Sequence, residues 1–311
     1  DSPRYSSGLT TLHNIFGFIT ETHMLKPYKQ RVDATYDYLW SMLEFCASNS
    51  QQIKQSRIQQ KNAIVLNDNY PVDWEIDKYD LRAMKFNGYE YAYKPSEVSG
   101  KDRLYYDRSK PITKDMFYIH RMVETKRRNK PAYYVLKQGF LDVADRLKWN
   151  GVELHPLKKD TTIEVTSIRI VNYKTVDKPY EKHYLHNNSL AIRDTTSTTF
   201  YAGDYLIPTG TENDRLLVEL LEPEGPDSYF NWNFFDAILQ QKEGFSAYVF
   251  EDKAAELLKN DSLLKKKFED TKREILKNHE DWSANEQLYW IYQQSPYYEK
   301  EHNVLPVFRI E

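Results

Sequence analysis

The spacing of apolar residues changes twice along the chain, and this constrains the fold more than any single motif. Val32, Tyr36, Leu39, Leu43 and Cys46 recur at helical spacing after Pro27, a residue suited to the first position of a helix. From Trp74 to Tyr93 the period shortens to two, with Tyr89, Tyr91 and Tyr93 on one side. Thr162 to Tyr173 alternates in the same way through Ile163, Val165, Ile168 and Ile170. From Asp214 onward the helical period returns, with helices expected over Asp214–Leu221, Glu251–Leu258 and Ser262–Asn278 and an apolar, aromatic stretch over Asn231–Gln241 within the same helical tail. Helices, then strands, then helices again predict an α+β chain. At 311 residues it has room for two domains.

Local signals refine this outline. Ile15–Thr22 is a short apolar, β-prone run and predicts a buried strand. Beyond Ala47 the helix pattern thins into a polar extension, and Asn67–Pro71 marks a linker. Ser99-Gly100 predicts a turn, after which Arg103–Tyr106 resumes a strand; Met116–Met122 and Ala132–Leu136 are similar. Phe140–Asn150 predicts a short amphipathic helix stopped at Asn150-Gly151, and Phe200–Pro208 a strand pair or extended segment.

Composition excludes some functions and leaves others open. Twenty-five tyrosines favour half-buried strands and polar-edged interfaces. A net charge of −3 argues against a nucleic-acid partner, and Lys265-Lys266-Lys267 is a solvated helix face. Cys46 is the only cysteine, so neither an internal disulfide nor a cysteine zinc site can form, and Cys46 itself is expected to be packed rather than nucleophilic. No apolar run reaches the length of a membrane span, and no signal peptide opens the chain. The start at Asp1-Ser2-Pro3-Arg4, without Met, is read as that of a fragment or of a processed or truncated form.

The chemistry-bearing segment is Gly17-Phe18-Ile19-Thr20-Glu21-Thr22-His23-Met24-Leu25-Lys26-Pro27-Tyr28, which sets a carboxylate at the end of an apolar strand. Burial there would raise a glutamate toward neutrality, as a general base requires. His23 would share the strand face with Glu21, to orient it or simply to satisfy a hydrogen bond. Among the other histidines, His183-x-x-His186 has ligand spacing but lies in the loop-like Tyr180–Asn188. His120 and Glu124 lie four apart in a strand-like region, and His13, His155, His279 and His302 are isolated. The pairs Asp142/Asp145 and Asp73/Glu75 are read as surface. No phosphate-binding loop or Gly-x-Ser-x-Gly elbow occurs.

Ser2–Gly8, Gly17–Tyr28 and Arg31-Val32-x-Ala34-Thr35-Tyr36 together resemble the end of the catalytic domain in a bacterial subgroup of the M14 zinc carboxypeptidases. Gly203–Pro208, Leu220–Pro223, Pro226–Ser228, Trp232-x-Phe234-Phe235-Asp236 and Leu305–Ile310 resemble the C-terminal extension of the same proteins. The resemblance implies that residues 1–62 are the last strand and helix of an α/β catalytic domain. Residues 63–311 would be an accessory region, β-rich and then helical. It further implies that Glu21 activates a zinc-bound water and passes its proton to the leaving amine, and that Tyr5, at a shorter spacing than the family's, closes over a peptide substrate. The family's zinc ligands, a His-x-x-Glu pair and a distant His, lie upstream of this glutamate, as do its carboxylate-gripping arginines. None has a counterpart here, so the chain alone is expected to be inactive. An exported bacterial enzyme is the setting the resemblance suggests. A non-catalytic module that holds a peptide or a glycan on its β-rich region is the alternative, favoured if the strand tyrosines are exposed.

Overall fold

The computed structural model describes residues 2–241, 243–278 and 281–311; Asp1, Lys242, His279 and Glu280 lie outside the described residues. The fold is of the α+β class. It divides into two units, Asp68–Asn129 and the rest of the chain.

The larger unit opens with α1 (Ser6–Leu12), whose Leu12 enters the main core. A left-handed Asn14 (φ 56°) then turns the chain away, its carbonyl accepting from Arg57 Nε at 2.9 Å. Gly17 passes so close to α1 that a Cβ there would lie 2.0 Å from Thr10 Oγ1. α2 (Tyr28–Ser48) follows, with Pro27 as its N-cap. The helix does not fade gradually as its sequence suggests. It stops at Asn49, whose side-chain amide donates to the Phe45 carbonyl, and α3 (Ser50–Leu66) begins anew.

The smaller unit is made of two antiparallel pairs. β1 (Asn69–Ile76) pairs with a later strand; β2 (Leu81–Pro95) and β3 (Asp102–Ile119) form a long hairpin; β4 (Met122–Asn129) closes on β1. At the hairpin turn Ser96 Oγ accepts from Val98 and Ser99, and Gly100 is left-handed at φ 69°, a conformation glycine adopts without strain.

Beyond Lys130 a six-stranded sheet forms. Its strands are β5 (Tyr133–Leu136), β6 (His155–Pro156), β7 (Thr161–Thr175), β8 (His186–Phe200), β9 (Tyr205–Pro208) and β10 (Val307–Ile310), in the order β6-β9-β5-β10-β7-β8. Alternation decides which face each side chain takes. Tyr134 and Leu136 join Ile168, Ile170 and Ile207 in the main core. Val135 joins Val165, Phe200 and Phe308 in a second cluster. Both faces of the central strands are therefore covered, which is why β5 reads as a continuous apolar run. The main core is completed by α4 (Leu141–Trp149), stopped at a left-handed Gly151, and by α5 (Asp214–Leu221). α6 (Ala247–Asn260), α7 (Ser262–Lys277) and α8 (Ala284–Gln293) form the tail. Phe250 and Ala254 of α6 pack there with Leu288, Ile291 and Tyr292 of α8. Asp261 caps α7, and Ser283 with Glu286 forms a reciprocal capping box on α8.

Three expectations are corrected, and two strands go beyond the expected ones. Ile15–Thr22 belongs to no sheet, and Ile15, Phe16, Phe18 and Ile19 are exposed. Asn231–Gln241 is a chain of turns with one 3-10 turn at Asp236–Leu239, because the Asn233 backbone is left-handed (φ 66°). Most of β8 and the whole of β10 were not foreseen, since β10 reaches its place between β5 and β7 only through long-range pairing. Cys46 is exposed rather than packed.

Candidate functional site

Glu21 lies in a stretch without regular secondary structure, whose residues from Phe16 to Thr22 make no backbone hydrogen bond among the described residues. Its carboxyl is exposed, and no ion pair or hydrogen bond to it is made among those residues. The expected burial is absent. His23 does not orient it: Nδ1 of His23 accepts instead from the Leu25 N–H at 3.2 Å. α2 continues the open surface, with Val32, Tyr36, Leu39 and Leu43 exposed and no residue of that helix buried. Tyr5, the other candidate, is the exposed N-cap residue of α1, and no hydrogen bond joins it to Glu21 among the described residues.

The residue beside Tyr5 is held firmly. Arg4 donates through its backbone N–H to Asp227 Oδ2 (2.9 Å) and through Nε to Oδ1 (2.7 Å). Its guanidinium lies 5.5 Å from the Trp232 ring centre and 5.8 Å from that of Tyr180. Trp232 Nε1 donates to the same carboxylate at 3.0 Å. Burial pushes Asp227 up, but the hydrogen bonds from Arg4 and Trp232 prevail and hold it below the ordinary aspartate range. The N-terminal residues are thereby tied to the Pro226–Trp232 segment more than two hundred residues away. Sequence reasoning singled out both segments by resemblance but gave no reason to join them.

The two histidines with ligand spacing take different partners. The His183 ring lies between Trp232 (5.2 Å) and Phe234 (5.5 Å). His186 is buried, its Nδ1 2.9 Å from Thr175 Oγ1 and its Nε2 3.0 Å from Asp236 Oδ1. No group of three His, Cys, Asp or Glu residues suited to a metal exists among the described residues. The described residues therefore offer no set of ligands for a zinc site.

A charged network is buried under the main sheet. Glu222, the residue that follows α5, accepts from Arg193 Nη2 (2.5 Å), from Arg309 and from the Tyr134 hydroxyl (3.0 Å). Glu224 accepts from both terminal nitrogens of Arg193. Burial and the Glu222 charge push the Tyr134 hydroxyl well up. Arg309 also donates to Glu311, so each charge of the network faces an opposite one, as a buried ionic cluster requires.

A groove of about 1030 Å³ runs over β7 and β8 beneath the chain from Gln293 to Val304. No helix is long and apolar enough to cross a membrane among the described residues. Comparison with protein-family models, curated proteins and solved structures finds no match to this chain.

Proposed function

We propose that the chain is the C-terminal part of an M14-type zinc carboxypeptidase in which Glu21 serves as the general base. One observation supports the reading beyond the sequence resemblance. The segment bearing Glu21 belongs to no helix or sheet, its backbone makes no backbone hydrogen bond among the described residues, and Phe16, Phe18 and Ile19 stand open. A strand made to pair within a larger sheet has these properties when its neighbours are not part of the chain. Docking there would supply the burial that Glu21 lacks.

In this reading Tyr5, positioned through Arg4, faces a peptide substrate, and Glu21 takes a proton and later returns it. Zinc would come with ligands supplied by preceding polypeptide, since no described residues of this chain fit it. The enzyme would be exported and have no nucleic-acid partner. The test is made on the longer protein. Glu21→Gln is expected to lower kcat for a C-terminal dipeptide substrate by about 10²–10⁴-fold while metal content is unchanged. Wild-type kcat in the variant would refute the assignment, as would turnover by the present chain alone with added zinc.

A second reading has its own observation. Tyr89, Tyr91 and Tyr93 are exposed on the β2–β3 hairpin, the condition set for a peptide- or glycan-binding module. The two readings are compatible within one protein.

A further inference from the structure

β8 is the edge strand of the six-stranded sheet, with β7 as its only strand neighbour among the described residues. From Ala191 to Phe200 its register against β7 is unbroken. An edge of that length offers a row of unpaired N–H and C=O groups, and folds usually blunt such an edge with proline, lysine or a bulge. This stretch has none of the three. Its one arginine, Arg193, is turned inward to Glu222 and Glu224. The run instead reads Thr195-Thr196-Ser197-Thr198-Thr199, four β-branched threonines and a serine, with small hydroxyls that favour an extended neighbour. Residues 195–198 have no backbone partner other than β7 among the described residues. The hydroxyl-bearing side chains alternate. Thr195, Ser197 and Thr199 are exposed, while Thr196 and Thr198, half-buried, share the face of Val165 and Ile163 and help line the groove.

The two ends of the run differ in charge. At one end Lys137 donates to the Thr199 carbonyl at 3.1 Å and is neutralised by Asp204 at 3.6 Å. At the other, Asp194 is exposed and has no ion-pair partner among the described residues. An extended backbone satisfies the row of amides, alternate side chains overhang the groove, and a cation answers Asp194.

We infer that β8 is a docking edge for an extended peptide, added as a seventh strand along Thr195–Thr199, with a basic residue of the peptide set against Asp194. This site rests neither on the peptidase reading nor on the tyrosines of the hairpin, and it needs no metal.

The probe is a fluorescein-labelled, end-blocked peptide of one lysine followed by three Thr-Val repeats, titrated into the full chain by fluorescence anisotropy. Two further peptides carry N-methyl groups on alternate amides, in the two possible registers. Saturable binding is expected, with a dissociation constant below about 1 mM. One methylated peptide should lose binding and the other keep it, because only alternate amides of an added strand face β8. Asp194→Lys should weaken the lysine peptide by about tenfold and favour a glutamate peptide in its place. Asp194 is exposed, so this variant should keep the wild-type circular dichroism and melt. No saturation, equal binding of both methylated peptides, or a failure of the charge exchange in a folded variant would each overturn the assignment. So would displacement of the peptide by a neutral oligosaccharide, which would give the groove to a glycan.

Discussion

Asp227 and Glu219 show how one kind of side chain takes opposite roles a few residues apart. Asp227 accepts from Arg4 and Trp232, and its carboxyl is held down. Its contribution to stability is complete above the unfolded aspartate value, about 3.9, and is lost as pH falls through the lower folded value. Glu219 is raised by burial, with the charge of Arg215 only partly offsetting it. Its contribution is complete below the unfolded glutamate value, about 4.3, and is lost as pH rises through the folded one. Asp227→Asn should therefore cost about 3 kcal/mol near neutral pH, by leaving Arg4 without its counter-charge, and should flatten the acid side of the stability curve. Glu219→Gln should be least harmful at neutral pH and most harmful in acid. Urea midpoints between pH 3 and 7 test both signs; parallel curves for wild type and variants would contradict them. The sequence marked the segment of Asp227 by resemblance but gave no charge role to either residue, because the partners of Asp227 arrive from residues 4 and 232.

At the scale of elements, amphipathic patterns were legible and their partners were not. α2 has the length and periodicity its sequence predicts, yet its apolar side faces outward. α4, α5 and α7 match the stretches that predicted them, since capping and stop residues act within a turn or two. The hairpin is the informative case. Tyr91 and Tyr106 face each other in register, as do Tyr93 and Leu104, and all four are exposed. Tyr91 and Tyr93 meet edge to face with ring centres 6.4 Å apart. Because no core depends on them, Tyr91→Ser with Tyr93→Ser should change unfolding free energy by less than about 0.5 kcal/mol. If the hairpin binds a peptide or a glycan, the same change should weaken retention on the corresponding resin by about tenfold, since stacked aromatics dominate such contacts. A large fall in stability would show instead that the tyrosines support the fold.

For the whole molecule, the division into units sets the expectation. Val65 and Lys130, on either side of Asp68–Asn129, are joined by a 2.8 Å hydrogen bond from the lysine Nζ to the Val65 carbonyl, so the ends that flank the smaller unit lie close. Replacing residues 68–129 by a short Gly-Ser linker should leave the larger unit folded and cooperative in a thermal melt. The excised unit, two strand pairs without a helix, should not fold alone. Loss of the near-ultraviolet signal of the larger unit would refute this. The sequence by itself determined the class of the fold, most helices and the hairpin, because periodicity, caps and turn residues act over a few neighbours. Tertiary structure alone decided that β10 enters the sheet between β5 and β7, that Arg4 meets Asp227, that His183 and His186 take different partners, and that Ile15–Thr22 joins no strand among the described residues. Those outcomes depend on which distant surfaces meet, and a local pattern specifies that a face must be covered without specifying what covers it.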